Sequence, residues 1–250
     1  MTKMKKALVV GGANGIGLAV ATELAQRKDC EKVYIVDKAD VPAEYQNEKF
    51  ETFRFDLTCE DFSIFDQFQD CDTLMITAGF GQLALFRDVT EAQIVSYLQV
   101  NALAVIRLIK RFYGKLESAE DFYCGVMVSI AGFMSSPFLS VYAATKAALK
   151  VFIESVNVEL IKAGSSNRIL SVAPGTIQGT SFSHGKTDLS KVEPLAKEIL
   201  AHLEQKNDLF IPKYEEVFRH VLERYHQDFR AEGLHSYEYK VQSGRVPTKS

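Results

Sequence analysis

Short apolar runs recur along this chain, most of them ending in small, acidic or hydroxyl residues, and they alternate with longer stretches of helical period. Lys5–Val10, Lys32–Asp37, Phe50–Phe55, Thr73–Thr77, Phe122–Val128, Arg168–Ala173 and a short Leu209–Ile211 read as strands. Leu18–Arg27, Thr90–Tyr113, the run from Val141 to Ala163 and Lys213–Ala231 read as helices, with a short amphipathic piece at Phe62–Phe68. Strands alternating with helical segments predict an α/β fold, a parallel sheet with helices on both faces. No repeat, low-complexity tract or linker divides the chain, so a single domain over 1–250 is expected. Gln178–Pro194 is polar with no strong period and reads as a flap over the site, leading into a further helix within 178–207. The tail from Gly233 carries Tyr237, Tyr239 and a basic end, and 213–250 as a whole has no role that the pattern assigns.

The run from Val141 organises the rest. From Tyr142, steps of four and three reach Lys146, Leu149, Ile153, Val156 and Leu160, and only Lys150, Glu154 and Asn157 make a clear polar stripe. A helix apolar nearly all round is buried on more than one side. It serves as a core helix and, with Thr90–Tyr113, as a subunit interface, so a homodimer or homotetramer is expected.

Composition narrows the partners. A net charge of -3 argues against a surface built for nucleic-acid phosphates. No uninterrupted apolar run approaches the roughly 20 residues that span a bilayer, so no membrane partner is expected. Four cysteines without Cys-x-x-Cys spacing fit a reducing cytoplasm, and the five scattered histidines offer no metal-ligand spacing. Neither a nucleic acid nor a metal is expected.

The candidate chemistry begins at the first strand, which runs into Gly11-Gly12-Ala13-Asn14-Gly15-Ile16-Gly17. Glycines there let the backbone approach a pyrophosphate, and the following helix N-terminus offers free N–H groups and a positive dipole end. Asp37 ends the next strand twenty positions after Gly17. That is where a carboxylate accepts from ribose hydroxyls and repels a 2′-phosphate, which favours NAD over NADP. Adjacent Lys38 weakens the preference. Ala78-Gly79 sits at the carboxyl end of a strand, small enough to lie against a cofactor. Asn101 falls inside a helical pattern with apolar neighbours, so its amide needs partners.

Tyr142 and Lys146 are four apart on a helix and project side by side. An ammonium beside a phenol stabilises phenolate and draws its pKa below about 10. The same spacing at Tyr34 and Lys38 falls on a strand, where residues four apart are about 13 Å apart and cannot cooperate. Ser129 ends a strand thirteen positions before Tyr142 and faces the same cleft.

In this order and spacing, Gly11/Gly15/Gly17, Asp37, Asp56-Leu57, Ala78-Gly79, Asn101, Ser129, Tyr142-x-x-x-Lys146 and Pro174-Gly175 resemble the short-chain dehydrogenase/reductase family, over roughly Lys5 to Pro212. The resemblance implies a Rossmann-like, doubly wound parallel sheet of about seven strands. It implies an NAD-dependent oxidoreductase moving hydride between nicotinamide and the carbonyl or secondary alcohol of a small, possibly apolar substrate. Tyr142 would be the general acid/base, Lys146 would lower its pKa and hold the nicotinamide ribose, Ser129 would hold the substrate oxygen, and Asn101 would anchor a water. Gly11, Asn14, Gly15, Ile16, Gly17, Asp37, Asp56, Leu57, Ala78, Gly79, Pro174, Gly175 and Ile177 would hold the cofactor with Tyr142 and Lys146. Phe80, Phe86, Phe133, Met134, Phe138 and Phe182 are candidates for an apolar substrate pocket. Val10 and Ile76-Thr77 depart from the family pattern and put the bracing of the cofactor loops in question. An NAD-binding sensor or scaffold with little turnover is the alternative.

Overall fold

The structure is a computed structural model that describes residues 4–180 and 187–246. Seven strands, β1 (Lys6–Val10), β2 (Lys32–Asp37), β3 (Phe50–Arg54), β4 (Thr73–Ile76), β5 (Tyr123–Met127), β6 (Ile169–Val172) and β7 (Leu209–Phe210), pair throughout in parallel in the order β3-β2-β1-β4-β5-β6-β7. Strand order reverses between β1 and β4, the switch point at which such sheets bind ligands outside their carboxyl ends. The register pairs Val10 with both Val36 and Ile76, and Ile76 with Val126. The segments that follow β1, β2, β4 and β5 therefore leave the sheet along one rim.

Both faces are covered, as strands apolar on both sides demand. One layer sets α1 (Gly15–Gln26) and α5 (Leu189–Glu204) against Val9, Val33, Met75 and Leu170. The other sets α3 (Ala104–Glu117) and α4 (Ser140–Lys162) against Leu8, Leu74, Val126 and Ile169. In place of a full helix over Phe62–Phe68 there is a short 3-10 helix, Ser63–Phe68, and Phe62, Phe65 and Phe68 are buried in that second layer.

Three differences from the sequence reading have local causes. The helix expected over Thr90–Tyr113 is continuous from Glu91 to Glu117 but passes through one π turn, Gln99–Leu103, between α2 (Glu91–Leu98) and α3. By length and composition alone this helix is apolar enough to cross a bilayer; in the fold it carries buried Asn101, and α3 packs one face on the sheet. The polar stretch Gln178–Pro194 is not irregular throughout, because Leu189 onward belongs to α5; residues 181–186 lie outside the described residues. The single helix expected over Lys213–Ala231 ends early, at Gln227, and a further helix follows in the tail, where the sequence reading placed none. After a π turn at Tyr214–Phe218, α6 (Arg219–Gln227) stops at Asp228, whose carboxylate accepts from the Arg230 and Ala231 amides and caps α7 (Phe229–Gln242). A short acidic side chain bonding the backbone N–H groups ahead of it competes with helix continuation and restarts the chain on a new axis.

Candidate active site

At the switch point, β1 gives way to a glycine turn that only glycines can make. Gly11 has φ +87, and a Cβ there would stand 2.4 Å from the Ala78 backbone nitrogen. A Cβ on Gly17 would lie 2.1 Å from the Gly11 carbonyl oxygen. The departure at Thr77 is compensated: its hydroxyl donates to the Gly11 carbonyl at 2.9 Å and lies 3.1 Å from that of Val10. A threonine thus braces the turn by itself. Asn14 stands at the N-cap of α1 without a side-chain cap, and the Gly15 amide donates to the Thr187 hydroxyl at 3.1 Å. The helix N-terminus is an anion site in waiting, with a hydroxyl oxygen in the acceptor position that a phosphate oxygen would take.

Asp37 leaves β2 beside this turn. One carboxylate oxygen accepts from the Ala13 amide and the other from the Ala39 amide, each at 3.0 Å. These bonds hold the carboxylate at the end of the groove, where Asp56, Leu57 and Thr58 form the opposite lip. Asp56 accepts from the Thr58 amide and hydroxyl, and these bonds draw its pKa below the ordinary carboxylate value.

The reactive end is built by β5 and α4. Ser129 accepts from the Ala131 amide at 3.2 Å and contacts the Pro174 carbonyl at 3.4 Å. Its hydroxyl is also hydrogen-bonded to Tyr142, which opens α4 only 8% exposed. The approach depends on Gly132, where a Cβ would sit 2.8 Å from the Lys146 carbonyl. No side chain fits between this loop and α4, and sequence reasoning missed that residue. Its one signal was the small-residue character of the loop before α4.

Lys146 is buried one turn after Tyr142, its Nζ donating to the Met127 carbonyl at 2.7 Å and lying 5.6 Å from the Tyr142 ring centre. Burial pulls its pKa down to about 7. Burial pushes the Tyr142 phenol up to about 12, against a smaller downward pull from Ser129. The expected lowering of the phenol by its ammonium neighbour is therefore reversed. Desolvation disfavours the charged form of each group, phenolate and ammonium alike.

Asn101 alone of the expected catalytic set lies behind the cleft wall, fully buried in the π turn. Its amide accepts from the Phe80 N–H at 3.0 Å and donates to the Phe80 carbonyl at 2.8 Å. That fastens the Ala78-Gly79-Phe80 loop and uses one of the two amide N–H groups and one lone pair of its oxygen. A Cβ placed on Gly79 would fall 3.3 Å from both Asn101 Oδ1 and Lys146 Nζ. The bare glycine keeps that space open.

These groups share one cleft of about 1190 Å³, lined by Gly11, Asn14, Gly15, Ile16, Gly17, Asp37, Asp56, Leu57, Ala78, Gly79, Ser129, Tyr142, Lys146, Pro174, Gly175 and Ile177. Its size exceeds the ~1,000 Å³ upper range of pockets for one drug-sized ligand and leaves room for a dinucleotide with a second molecule. Of the proposed substrate-pocket residues, Phe80 and Met134 line it. Phe86 is on the surface, Phe133 is partly buried against the core, and Phe138 is buried against Tyr237. Phe182 lies outside the described residues.

The C-terminal segment, without a role in the sequence reading, covers this cleft. Phe218 packs where a Gly175 Cβ would be, 2.7 Å away, and Val217, Val221, Ser236 and Tyr239 line the opening. Lys240 ties α7 to the loop ahead of Tyr142 through the Ser136 hydroxyl and the Pro137 carbonyl.

A parallel sheet of this order with a glycine turn at its switch point defines a Rossmann-type dinucleotide fold. The family model for short chain dehydrogenases matches residues 5–189, and the chain belongs to that family. An uncharacterized oxidoreductase of Staphylococcus epidermidis is 24% identical over 198 residues, covering 74% of this chain and 85% of its own. A short-chain dehydrogenase/reductase of Burkholderia phymatum, solved with NAD, superposes with a TM-score of 0.75 at 16% identity, over 92% of this chain and 96% of that one. An alcohol dehydrogenase of the archaeon Thermococcus sibiricus, solved with 5-hydroxy-NADP, superposes at 0.69 and 19% identity, over 84% and 96%.

Proposed function

We propose that this oxidoreductase interconverts a carbonyl and a secondary alcohol using NAD(H), with Tyr142 as general acid/base. The observation that carries the reading is the hydrogen-bonded Ser129–Tyr142 pair, with buried Lys146 one turn on, lining the same cleft as the glycine turn. The nicotinamide would supply or accept the hydride; proton movement and charge stabilisation fall to the protein. Ser129 holds the substrate oxygen, and Tyr142 exchanges a proton with it. Lys146, pinned by Met127, would hold the cofactor ribose with its remaining N–H groups. Asn101 is a positioning residue here, acting through the backbone of Phe80.

NAD is the preferred cofactor in this reading because the Asp37 carboxylate is fixed by two amides at the ribose end. Lys38, also on the cleft, and Arg54, the register partner of Asp37, temper that preference. The assembly is a homodimer or homotetramer through α2 and α4, supported by apolar residues that face outward along both: Val95 and Leu98 on one, Val151 and Val158 (65% exposed) on the other. The chain acts as one catalytic domain whose C-terminal helices cap the substrate side. A cytoplasmic setting fits thiols kept buried at Cys30, Cys71 and Cys124.

Tyr142→Phe tests the reading. It removes one hydroxyl and leaves the ring packing in place. NADH affinity should stay within about threefold, while turnover of a reducible ketone falls by about 10²–10⁴, the range for a lost general acid/base. Tyr34→Phe, in the strand pair, should leave turnover unchanged. Equal, small losses in both variants would assign the protein to nucleotide binding without catalysis.

A further inference from the structure

Charged groups of both signs line the cleft, Lys38 among them beside Asp37. The acids at the adenosine end are Asp37 and Asp56. At the Tyr142 end the acid on the wall is Glu232, and its carboxylate is held by Arg224 at 2.7 and 3.2 Å with His235 3.7 Å away. Two cations on the same wall, Lys240 and Arg245, have no carboxylate partner among the described residues. Lys240 is half-buried, and two of its three N–H groups go to Ser136 and Pro137, at 3.0 and 2.8 Å. Arg245 follows on the turn after α7, stacked over the Tyr239 ring at 5.3 Å and reaching the Thr176 hydroxyl at 3.4 Å. Both line the cleft together with Ser135, Ser136, Leu139 and Tyr142.

Resting on the oxidoreductase reading, we propose that Lys240 and Arg245 form the recognition site for a carboxylate on the substrate, which makes the substrate class an oxo acid or hydroxy acid. An ammonium drawn out of water without a counter-ion is costly, and an arriving anion reverses that cost. Burial, and to a smaller extent the nearby Arg245, already lower the Lys240 pKa to about 8. A guanidinium presents two parallel N–H groups that match a carboxylate. The Lys240 ammonium, fixed by two bonds to the loop five residues before Tyr142, keeps one donor for it. The pair sits on α7 and the turn after it, so the C-terminal extension selects the substrate while β5 and α4 carry the chemistry. The strut reading, in which Lys240 merely pins α7, accounts for its two bonds but not for the second cation beside it.

The experiment uses the full chain with saturating NADH or NAD, and levulinate, longer oxo-acid homologues and the methyl ester of each. Binding is read by thermal shift and turnover by nicotinamide absorbance, in wild type, Lys240→Met and Arg245→Gln. At least one acid should bind about tenfold more tightly than its ester, a gap worth ~1.4 kcal/mol, and both variants should close the gap. NADH affinity should change less than about threefold in either variant, a change worth less than ~0.7 kcal/mol. Arg245 is exposed, so its variant keeps the test readable if Lys240→Met fails to fold. Acid and ester bound alike, no acid bound, or a preference that survives both variants overturns the proposal. So does a tenfold loss of NADH affinity in the variants, which would assign the cations to the cofactor pyrophosphate. Selective acid binding with no turnover of any compound would sink the oxidoreductase reading and leave the carboxylate site standing.

Discussion

Replacing Lys146 by methionine should stabilise the folded protein near neutral pH and destabilise it in base. The lysine pKa falls from 10.5 in the unfolded chain to about 7 in the fold. At ~1.36 kcal/mol per pH unit that fall corresponds to about 5 kcal/mol of burial cost, present in full below pH 7. Between those values the unfolded chain holds a proton that the folded one lacks, so wild-type stability rises with pH until both forms are neutral. Methionine fills similar volume and carries no charge, which removes the cost. It also forfeits the bond to the Met127 carbonyl, worth about 1–3 kcal/mol when a buried acceptor is left bare. The variant should therefore be about 2 kcal/mol or more stabler at pH 7 and about 1–3 kcal/mol less stable above pH 10.5, the difference changing sign in between. Urea unfolding followed by circular dichroism, without added nucleotide, measures both at half-unit pH steps. Tyr142 and the buried cysteines titrate in both proteins and cancel. A stability difference that stays constant from pH 6 to 11 would refute the burial argument, whatever happened to turnover.

Other perturbations probe the rest of the site. Asp37→Ala should improve NADPH affinity by about tenfold, or ~1.4 kcal/mol, while NADH binding declines less; equal wild-type affinities for the two by fluorescence titration would remove the NAD preference. Thr77→Val keeps the shape and deletes the brace on Gly11, so stability should fall by about 1–2 kcal/mol with weaker NADH binding; an unchanged urea midpoint would show that the glycine turn holds its own shape. Gly132→Ala should drive the Ser129 loop off α4 and lower turnover more than NADH affinity, a split that steady-state kinetics and titration resolve. Val158→Asp places a charge on the outer apolar face of α4 and should lower the mass seen by light scattering; a wild-type monomer at micromolar concentration would dispose of the interface.

Much of this molecule was legible along the chain. Each strand was readable to within a residue or so at its ends: a strand covered on both faces must be apolar nearly throughout, while the edge strand β3, exposed at Glu51, Thr52 and Arg54, shows itself by Phe50 and Phe53 alone. Tyr142 and Lys146 were legible for the same local reason: a helix puts positions four apart on one face, whatever surrounds it. What surrounds it then decided the electrostatics, and in the opposite direction. The ammonium that local spacing sets beside the phenol is drawn to the Met127 carbonyl, nineteen residues away in sequence, and both groups are dry. The service of Asn101 to Phe80, of Thr77 to Gly11 and of Gly132 to the Lys146 carbonyl is likewise long-range. Nothing in the spacing of those residues encodes it. The C-terminal segment shows the division most plainly. Its helical periodicity could be read locally, but its break was hidden in one capping aspartate, and its place over the cleft depends on Phe218 meeting Gly175 and Lys240 meeting Ser136. Periodicity is a property of neighbours in the chain, so sequence alone determined the strands and the existence of the long helices; the pairing of residues tens to a hundred positions apart, and the water it excludes, exists only once those elements have packed.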